Sequence, residues 1–339
     1  MDWNLHALSF VVYQALKLSS FTRMNRRTFV TLTSTATGGA LVSESTSKSS
    51  TILRSVFPSD SIKPAKFKPS PSQWSDNDFT IAWIGHSTLL INFFGTRIIT
   101  DPIFSDKAGI NVLGLFTLGP QRLVYPALSL ADIGDIDLIL LSHAHMDHLD
   151  YPTLEEMKKN AVVVMAKNTS DVIENLEFEK VHELDWGEKK DACDVSIEAL
   201  EVKHFGWRFP WEEDRSKGNR DGRSFNAYLV KKNGFSFVFG GDTAHTPLFK
   251  KLGARGEKID LAAMPIGAYD PWIMNHCNPE QAAEMSIDMN ASHILPIHWR
   301  TFTVSDEPTF DPIKRLRIAT EGTNMKLILD TIGQTAVMG

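Results

Sequence analysis

The chain has 339 residues, room for about two ordinary domains or one large α/β domain, and its 42% hydrophobic and 22% charged residues exclude wholesale disorder. A net charge of −6 argues against a generalised polyanion binder, so no nucleic-acid partner is expected. Two cysteines, Cys193 and Cys277, exclude a disulfide scaffold and a thiolate zinc knuckle, and no apolar run approaches the ~18 residues of a membrane span.

Residues 1–57 contain two acids, Asp2 and Glu44, and 13 of the 24 residues from Thr28 to Thr51 are Ser or Thr. Such a stretch buries little apolar surface. Within it, Arg26-Arg27-Thr28-Phe29-Val30 precedes a weak h-region ending at Gly38-Gly39-Ala40-Leu41-Val42. Paired arginines before such a stretch resemble a twin-arginine export signal; the alternative is a basic tail with a chance Arg-Arg. An exported, periplasmic or membrane-peripheral protein is the expectation on the first reading, and a cytoplasmic one otherwise. Residues 58–77, with Pro58, Pro64, Pro69 and Pro71, read as an extended linker, and 78–339 as the folded domain.

Phe79–Ile84, Thr88–Phe93 and Arg97–Thr100 are short β-rich runs, the last two joined at Gly95. Ile136–Ser142 and Val162–Ala166 read as buried strands flanking a helix over Pro152–Asn160, with Thr153 and Glu156 at capping-box spacing. Asn226–Lys231 and Phe235–Gly240 flank Asn233-Gly234, a hairpin signal. Leu261–Ile266, Ile294–Ile297 and Lys326–Leu329 are further strands, and Pro279–Asn290 is a helix. Strands interleaved with helices and hairpins predict an α/β fold with mixed sheets.

The centre of the chain is Ser142-His143-Ala144-His145-Met146-Asp147-His148, directly after an apolar strand. Alternate side chains of extended chain share a face, so His143 and His145 converge on one point, while Asp147 and His148 address a second. Imidazole nitrogen and carboxylate oxygen suit zinc, and also iron or manganese. Four such residues do not complete two sites. His204, Asp242 and His298 each follow a β run, where ligands gather in α/β folds. The number and types of these residues match a two-metal hydrolytic site.

This constellation resembles the metallo-β-lactamase superfamily over about residues 78–339. Within it, Trp83-Ile84-Gly85-His86-Ser87-Thr88, Thr100-Asp101-Pro102, Gly240-Gly241-Asp242-Thr243, Pro265-Ile266-Gly267-Ala268-Tyr269 and Ile297-His298-Trp299 are similar to the N-acylphosphatidylethanolamine-hydrolysing phospholipase D branch. The ascorbate-6-phosphate lactonase branch shares part of the set. The resemblance implies an αββα sandwich, two mixed β-sheets flanked by helices, with two zinc ions per chain. It implies that His143, His145 and His204 hold one zinc, that Asp147, His148 and His298 hold the other, and that Asp242 bridges them. Asp147 would also be catalytic, aiming the nucleophile, and His276 would act near the leaving group or phosphate. Asp101 looks like a partner for a ligand imidazole, and His86 is either another such partner or a packed structural histidine.

Two segments bear on substrate. Residues 108–118, apolar and broken by Gly109 and Gly114, are either a lipid-contacting lip or core. Gly206–Trp211 with Arg215, Lys217, Arg220 and Arg223 either holds acyl chains and phosphate or is a solvated loop. The expected activity is a phospholipase D-like phosphodiesterase cleaving N-acylphosphatidylethanolamine-type lipids to phosphatidic acid and N-acylethanolamine. The alternatives are a lactonase or phosphodiesterase on a soluble substrate, and a non-hydrolytic di-iron protein.

Overall fold

The computed structural model describes residues 61–112 and 116–338; the expected leader, residues 1–57, lies outside them. The strands in chain order are β1 (Phe79–Gly85), β2 (Thr88–Phe93), β3 (Thr96–Thr100), β4 (Ile110–Val112), β5 (Phe116–Leu118), β6 (Leu138–Leu141), β7 (Val162–Ala166), β8 (Lys180–Leu184), β9 (Lys189–Ala192), β10 (Val195–Glu201), β11 (Asn226–Lys232), β12 (Phe235–Phe239), β13 (Ile259–Pro265), β14 (Ala291–Ile297), β15 (Lys326–Leu327) and β16 (Thr335–Met338). The helices are α1 (Tyr151–Glu156), α2 (Leu248–Gly253), α3 (Pro279–Asp288) and α4 (Asp311–Thr320).

Among the described residues, the strands form two seven-stranded sheets, in the orders β16-β1-β2-β3-β6-β7-β8 and β15-β14-β13-β12-β11-β10-β9, plus the β4–β5 hairpin. Each sheet is antiparallel in one half and parallel in the other. The parallel halves need crossovers: α1 lies in the one from β6 to β7 in the first sheet, and α2, α3 and α4 supply those of the second. The inner faces pack as one apolar core: Phe79 stacks on Phe235 across the sheets at 4.3 Å, and Trp83 on Trp299 at 5.6 Å. This is the expected αββα sandwich.

Local chemistry explains the turns. Phe94 and Gly95 take φ of 49° and 87°, and Asn233 and Gly234 take 52° and 78°. Two consecutive residues at positive φ turn a two-residue hairpin in the hand that matches strand twist. Helix α3 starts on a reciprocal cap between Asn278 and Gln281, with Pro279 in its first turn. The capping box expected at Thr153 and Glu156 does not form, and α1 ends at Glu156 rather than near Asn160. The Thr153 hydroxyl instead donates to Asp150 at 2.5 Å and accepts from the Phe104 amide at 2.9 Å.

From residue 61, the segment expected as a linker lies against the domain. Lys63 N donates to Leu123 O at 3.0 Å, Tyr125 N donates to Lys63 O at 2.8 Å, and Trp74 packs on the core. The domain's packing therefore begins before residue 78. Of the segment 108–118, Ala108 is buried with Ile103 and Phe302, and Ile110 pairs with Leu118 in the β4–β5 hairpin. Residues 113–115 lie outside the described residues. No helix among the described residues is long and apolar enough to cross a membrane.

Candidate metal centre

Both sheets send ligand-type residues to one place from the C-terminal ends of their strands. In the first sheet, β1 leads to His86, β3 to Asp101, and β6 to Ser142–His148; in the second, β10 leads to His204, β12 to Asp242, and β14 to His298. Gly241, next to Asp242, lies close against Ser142 of the opposite sheet's ligand loop, with φ of 55°. A Cβ there would lie 2.8 Å from Ser142 Cβ and 2.9 Å from Asn226 O, so only glycine lets Asp242 reach the ligands of the opposite sheet.

His143 Nε2 and His145 Nδ1 lie 2.8 Å apart, and His145 Nδ1 is 3.3 Å from His204 Nε2. Asp147 Oδ2 lies 3.3 Å from His298 Nε2 and 3.7 Å from His148 Nε2. Asp242, 2% exposed, stands between the groups. Its Oδ2 lies 3.1 Å from His148 Nε2, 3.2 Å from His298 Nε2, 3.8 Å from His204 Nε2 and 3.9 Å from His143 Nε2. The three residues of each expected group, and the expected bridging carboxylate, are thus brought together. His276 Nδ1 is also 3.7 Å from Asp242 Oδ2.

The donor set fits a divalent metal. The ligand atoms of His143, His145 and His204 lie within 4.8 Å of one another, and so do those of His86, Asp147, His148 and His298. Metal–nitrogen bonds of about 2.0–2.1 Å require that kind of convergence. His148 Nε2, Asp242 Oδ1 and His276 Nδ1 are buried without a hydrogen-bond partner, which is costly unless something else binds them.

Hydrogen bonds behind the ligands fix which nitrogen faces inward. Asp101 Oδ2 accepts from His148 Nδ1 at 2.6 Å and from the Ser142 hydroxyl at 2.5 Å. That hydroxyl also lies 2.9 Å from His143 Nδ1. One carboxylate and one hydroxyl thereby orient a histidine in each group, leaving both Nε2 atoms for the centre. His204 Nδ1 donates to Asn275 O at 2.8 Å, with the same effect.

Electrostatics separates the two groups. Burial, reinforced by neighbouring histidines, holds His143 well below the usual imidazole range and His145 at about 3. Neutral imidazoles are what a metal needs. Burial also acts against charge on His298, but Asp242 and Asp147 outweigh it and raise it to about 9. Burial would raise Asp242; His148 and His298 overcome it and hold the carboxyl well below its ordinary value.

His86 was the residue least legible in the sequence. Its Nε2 lies 3.1 Å from Asp147 Oδ2, its ring centre is 4.1 Å from that of His298, and its φ is 54°. A histidine held in that sparsely populated region beside a site points to a local role. The signal available beforehand was its place after Gly85 at a strand end.

The run expected either to hold acyl chains and phosphate or to be a solvated loop places three of its arginines on partners within the domain. Arg223 pairs with Asp171 and Glu212, and Arg215 with Asp185 while lying over the Trp186 ring. Arg208 donates to two backbone carbonyls. The physical reason is that Asp171 after β7, Asp185 after β8 and Glu212 of the loop itself fold against Arg223 and Arg215. Gly206 makes the packing possible, since a Cβ there would lie 2.1 Å from Arg223 O. Gly206→Ala should therefore cost about 1–3 kcal/mol of stability through overpacking, measured by urea unfolding. An unchanged midpoint would mean that the loop shifts freely.

A sandwich of two mixed sheets with a histidine–carboxylate centre at their common edge defines a class of metal-dependent hydrolases. A family profile described as the beta-lactamase superfamily domain matches residues 96–299, and the chain belongs to that family as a metallo-hydrolase. It is 29% identical over 262 residues to an uncharacterised protein of Mycobacterium tuberculosis, covering 75% of this chain and 67% of that one. It is 29% identical over 278 residues to N-acyl-phosphatidylethanolamine-hydrolyzing phospholipase D 1 of Caenorhabditis elegans, covering 73% of this chain and 72% of that one. A metallo hydrolase from the archaeon Ignicoccus hospitalis shares the fold, with a TM-score of 0.57 at 18% identity over 77% of this chain and 99% of that one.

Proposed function

We propose that this metallo-hydrolase is a two-zinc phosphodiesterase of the phospholipase D type, acting on N-acylphosphatidylethanolamine-like lipids. The observation that carries the reading is Asp242 Oδ2, which lies within 3.9 Å of histidine nitrogens from both ligand groups and 3.7 Å from His276. His143, His145 and His204 would hold one zinc, Asp147, His148 and His298 would hold the second, and Asp242 would serve both. When bound, the metals supply Lewis acidity and lower the pKa of water to about 7.

Around them, the chain's own residues position the reactants. Asp147, steadied by His86, accepts a hydrogen bond from the incoming water and aims it at phosphorus. His276 reaches the surface beside Asp242 and meets the leaving oxygen. The water oxygen bonds to phosphorus as the bond to the ethanolamine oxygen breaks; one water proton ends on that oxygen and the remaining OH stays on phosphorus. The products are phosphatidic acid and N-acylethanolamine.

A lipid substrate is supported by the name of the nematode relative and by the surface next to His276. Trp272, Ile273 and Met274 are 36%, 39% and 68% exposed in consecutive positions. Trp272 O accepts from the amides of Asn275 and His276 at 2.8 and 2.9 Å, so this apolar turn is built onto the site. Burying one such side chain in lipid contributes roughly 1.5–3 kcal/mol. Ile273→Ser with Met274→Ser should therefore lower turnover on vesicles by at least about a hundredfold while sparing a short-chain soluble phosphodiester. Equal efficiency on both substrates would remove the membrane-contact reading.

The deciding experiment combines elemental analysis of the purified protein with product analysis on N-acylphosphatidylethanolamine vesicles and on soluble lactones. Two zincs per chain with release of phosphatidic acid is the expected result. Lactone turnover alone would favour the soluble-substrate reading, and iron without hydrolysis the di-iron one.

A further inference from the structure

The loop that carries four of the ligand-type residues has an anchor outside the metal centre. His143–His148 leaves β6 and turns back on itself, with His148 N and Leu149 N both donating to His145 O, at 3.0 and 2.8 Å. The carbonyls of Ala144 and Leu149, near the two ends of the turn, receive a different donor. Arg208 Nη1 donates to Ala144 O at 2.7 Å and to Leu149 O at 2.9 Å. A single guanidinium nitrogen thus ties the entrance of the loop to its exit.

Arg208 is itself held. Its own amide and that of Phe209 donate to Glu212 Oε2, at 2.5 and 3.2 Å. Arg223 donates to both oxygens of Glu212, at 3.0 and 2.9 Å. Arg223 also grips Asp171 with two nitrogens, at 2.5 and 2.8 Å, and donates to Asn168 O at 3.0 Å. A continuous polar strut therefore runs from the segment after β7, through Arg223, Glu212 and Arg208, to the ligand loop. None of its members belongs to the ligand groups around Asp242.

We propose that Arg208 is a positioning residue for the metal centre: it fixes the spacing of His143, His145, Asp147 and His148 by clamping the two carbonyls that bracket their turn. The proposal rests on the metal-binding reading of the site. Buried carbonyls need partners, and the planar guanidinium fixes the directions of the two N–H groups on Nη1, whereas a lysine ammonium is a freely rotating point charge on a flexible stem. Ligand distances must hold to about ±0.2 Å. A turn secured at both ends keeps that geometry when a metal leaves; a loosened one lets it escape. Residues that orient metal ligands typically alter metal affinity about 10–100-fold when removed.

The test compares zinc-loaded wild type with Arg208→Met, Arg208→Lys and, as a control in the same segment, Arg215→Met, which breaks the pair with Asp185 without touching the ligand loop. Zinc release to a colorimetric chelator is timed, and the melting temperature of each metal-free protein is measured. The expected result is release accelerated at least ~10-fold in Arg208→Met and less in Arg208→Lys. Arg215→Met should release at the wild-type rate, and every metal-free protein should still melt cooperatively, Arg208→Met at a lower temperature because two buried carbonyls lose their donor. Wild-type release from Arg208→Met, or equal acceleration in Arg215→Met, would overturn the proposal. Should Arg208→Met fail to fold, Glu212→Gln loosens the same strut, and unchanged release there would overturn it equally. A wild type that carries no metal sinks the metal-binding reading itself, whereas a loaded wild type with unaffected variants sinks only the clamp.

Discussion

Asp242→Asn should reduce hydrolysis by at least ~10²-fold and lower the metal content of the purified protein. The substitution keeps the size and shape of the side chain. It removes a negative charge whose Oδ2 lies within 3.9 Å of nitrogens on His143, His148, His204, His276 and His298. An amide also brings two N–H donors into a site that supplies donors already. Both ligand groups should suffer together, because this oxygen lies between them. Elemental analysis checks the metal, and circular dichroism checks that the fold persists. Full metal content with wild-type turnover would show that Asp242 does not join the groups.

Trp83→Ala should cost about 3–5 kcal/mol of stability, the range for deleting a large buried aromatic. Trp83 is 0% exposed, stacks on Trp299 and donates its indole N–H to His86 O at 2.9 Å. The same His86 O accepts from His298 N at 3.1 Å. The indole therefore packs the core and supports the backbone beside two site histidines. Trp83→Phe separates these roles: it retains most of the packing and loses the hydrogen bond, for about 1–3 kcal/mol. Chemical denaturation measures both variants. Equal losses would assign the whole effect to the hydrogen bond and refute the packing argument.

The parts of the fold and site legible in the sequence were those governed by local pattern. Apolar strands such as Leu138–Leu141 and turns such as Asn233-Gly234 show their burial and backbone needs directly. The ligand-type residues were legible because each follows such a strand. Strand β9, Lys-Lys-Asp-Ala, was not, because a half-exposed edge strand of charged residues has no apolar alternation. Helix α4 differs: its buried residues, Pro312, Ile313, Leu316 and Thr320, recur at helical spacing among Lys and Arg, so its pattern was legible although the expected elements did not include it. The arginines at 208, 215 and 223 were legible as charges but not as struts. Their partners, Asp171, Asp185 and the carbonyls of Ala144 and Leu149, are chosen by tertiary packing. The unformed cap at Thr153 teaches the same point, since the hydroxyl was taken by residues that spacing does not reveal.

The pairing of β1 with β16 places Phe79 opposite Met338. During synthesis at about 5–20 residues per second, the outer edge of β1 waits on the order of ten seconds or more before residues 335–338 exist to cover it. Strand β1 is buried along its whole length in the finished molecule, and an apolar strand with an open edge invites pairing with other chains. The first strand of the sandwich to be made is thus among the last to be sealed, and in the nascent chain its open edge is the place where aggregation competes with folding.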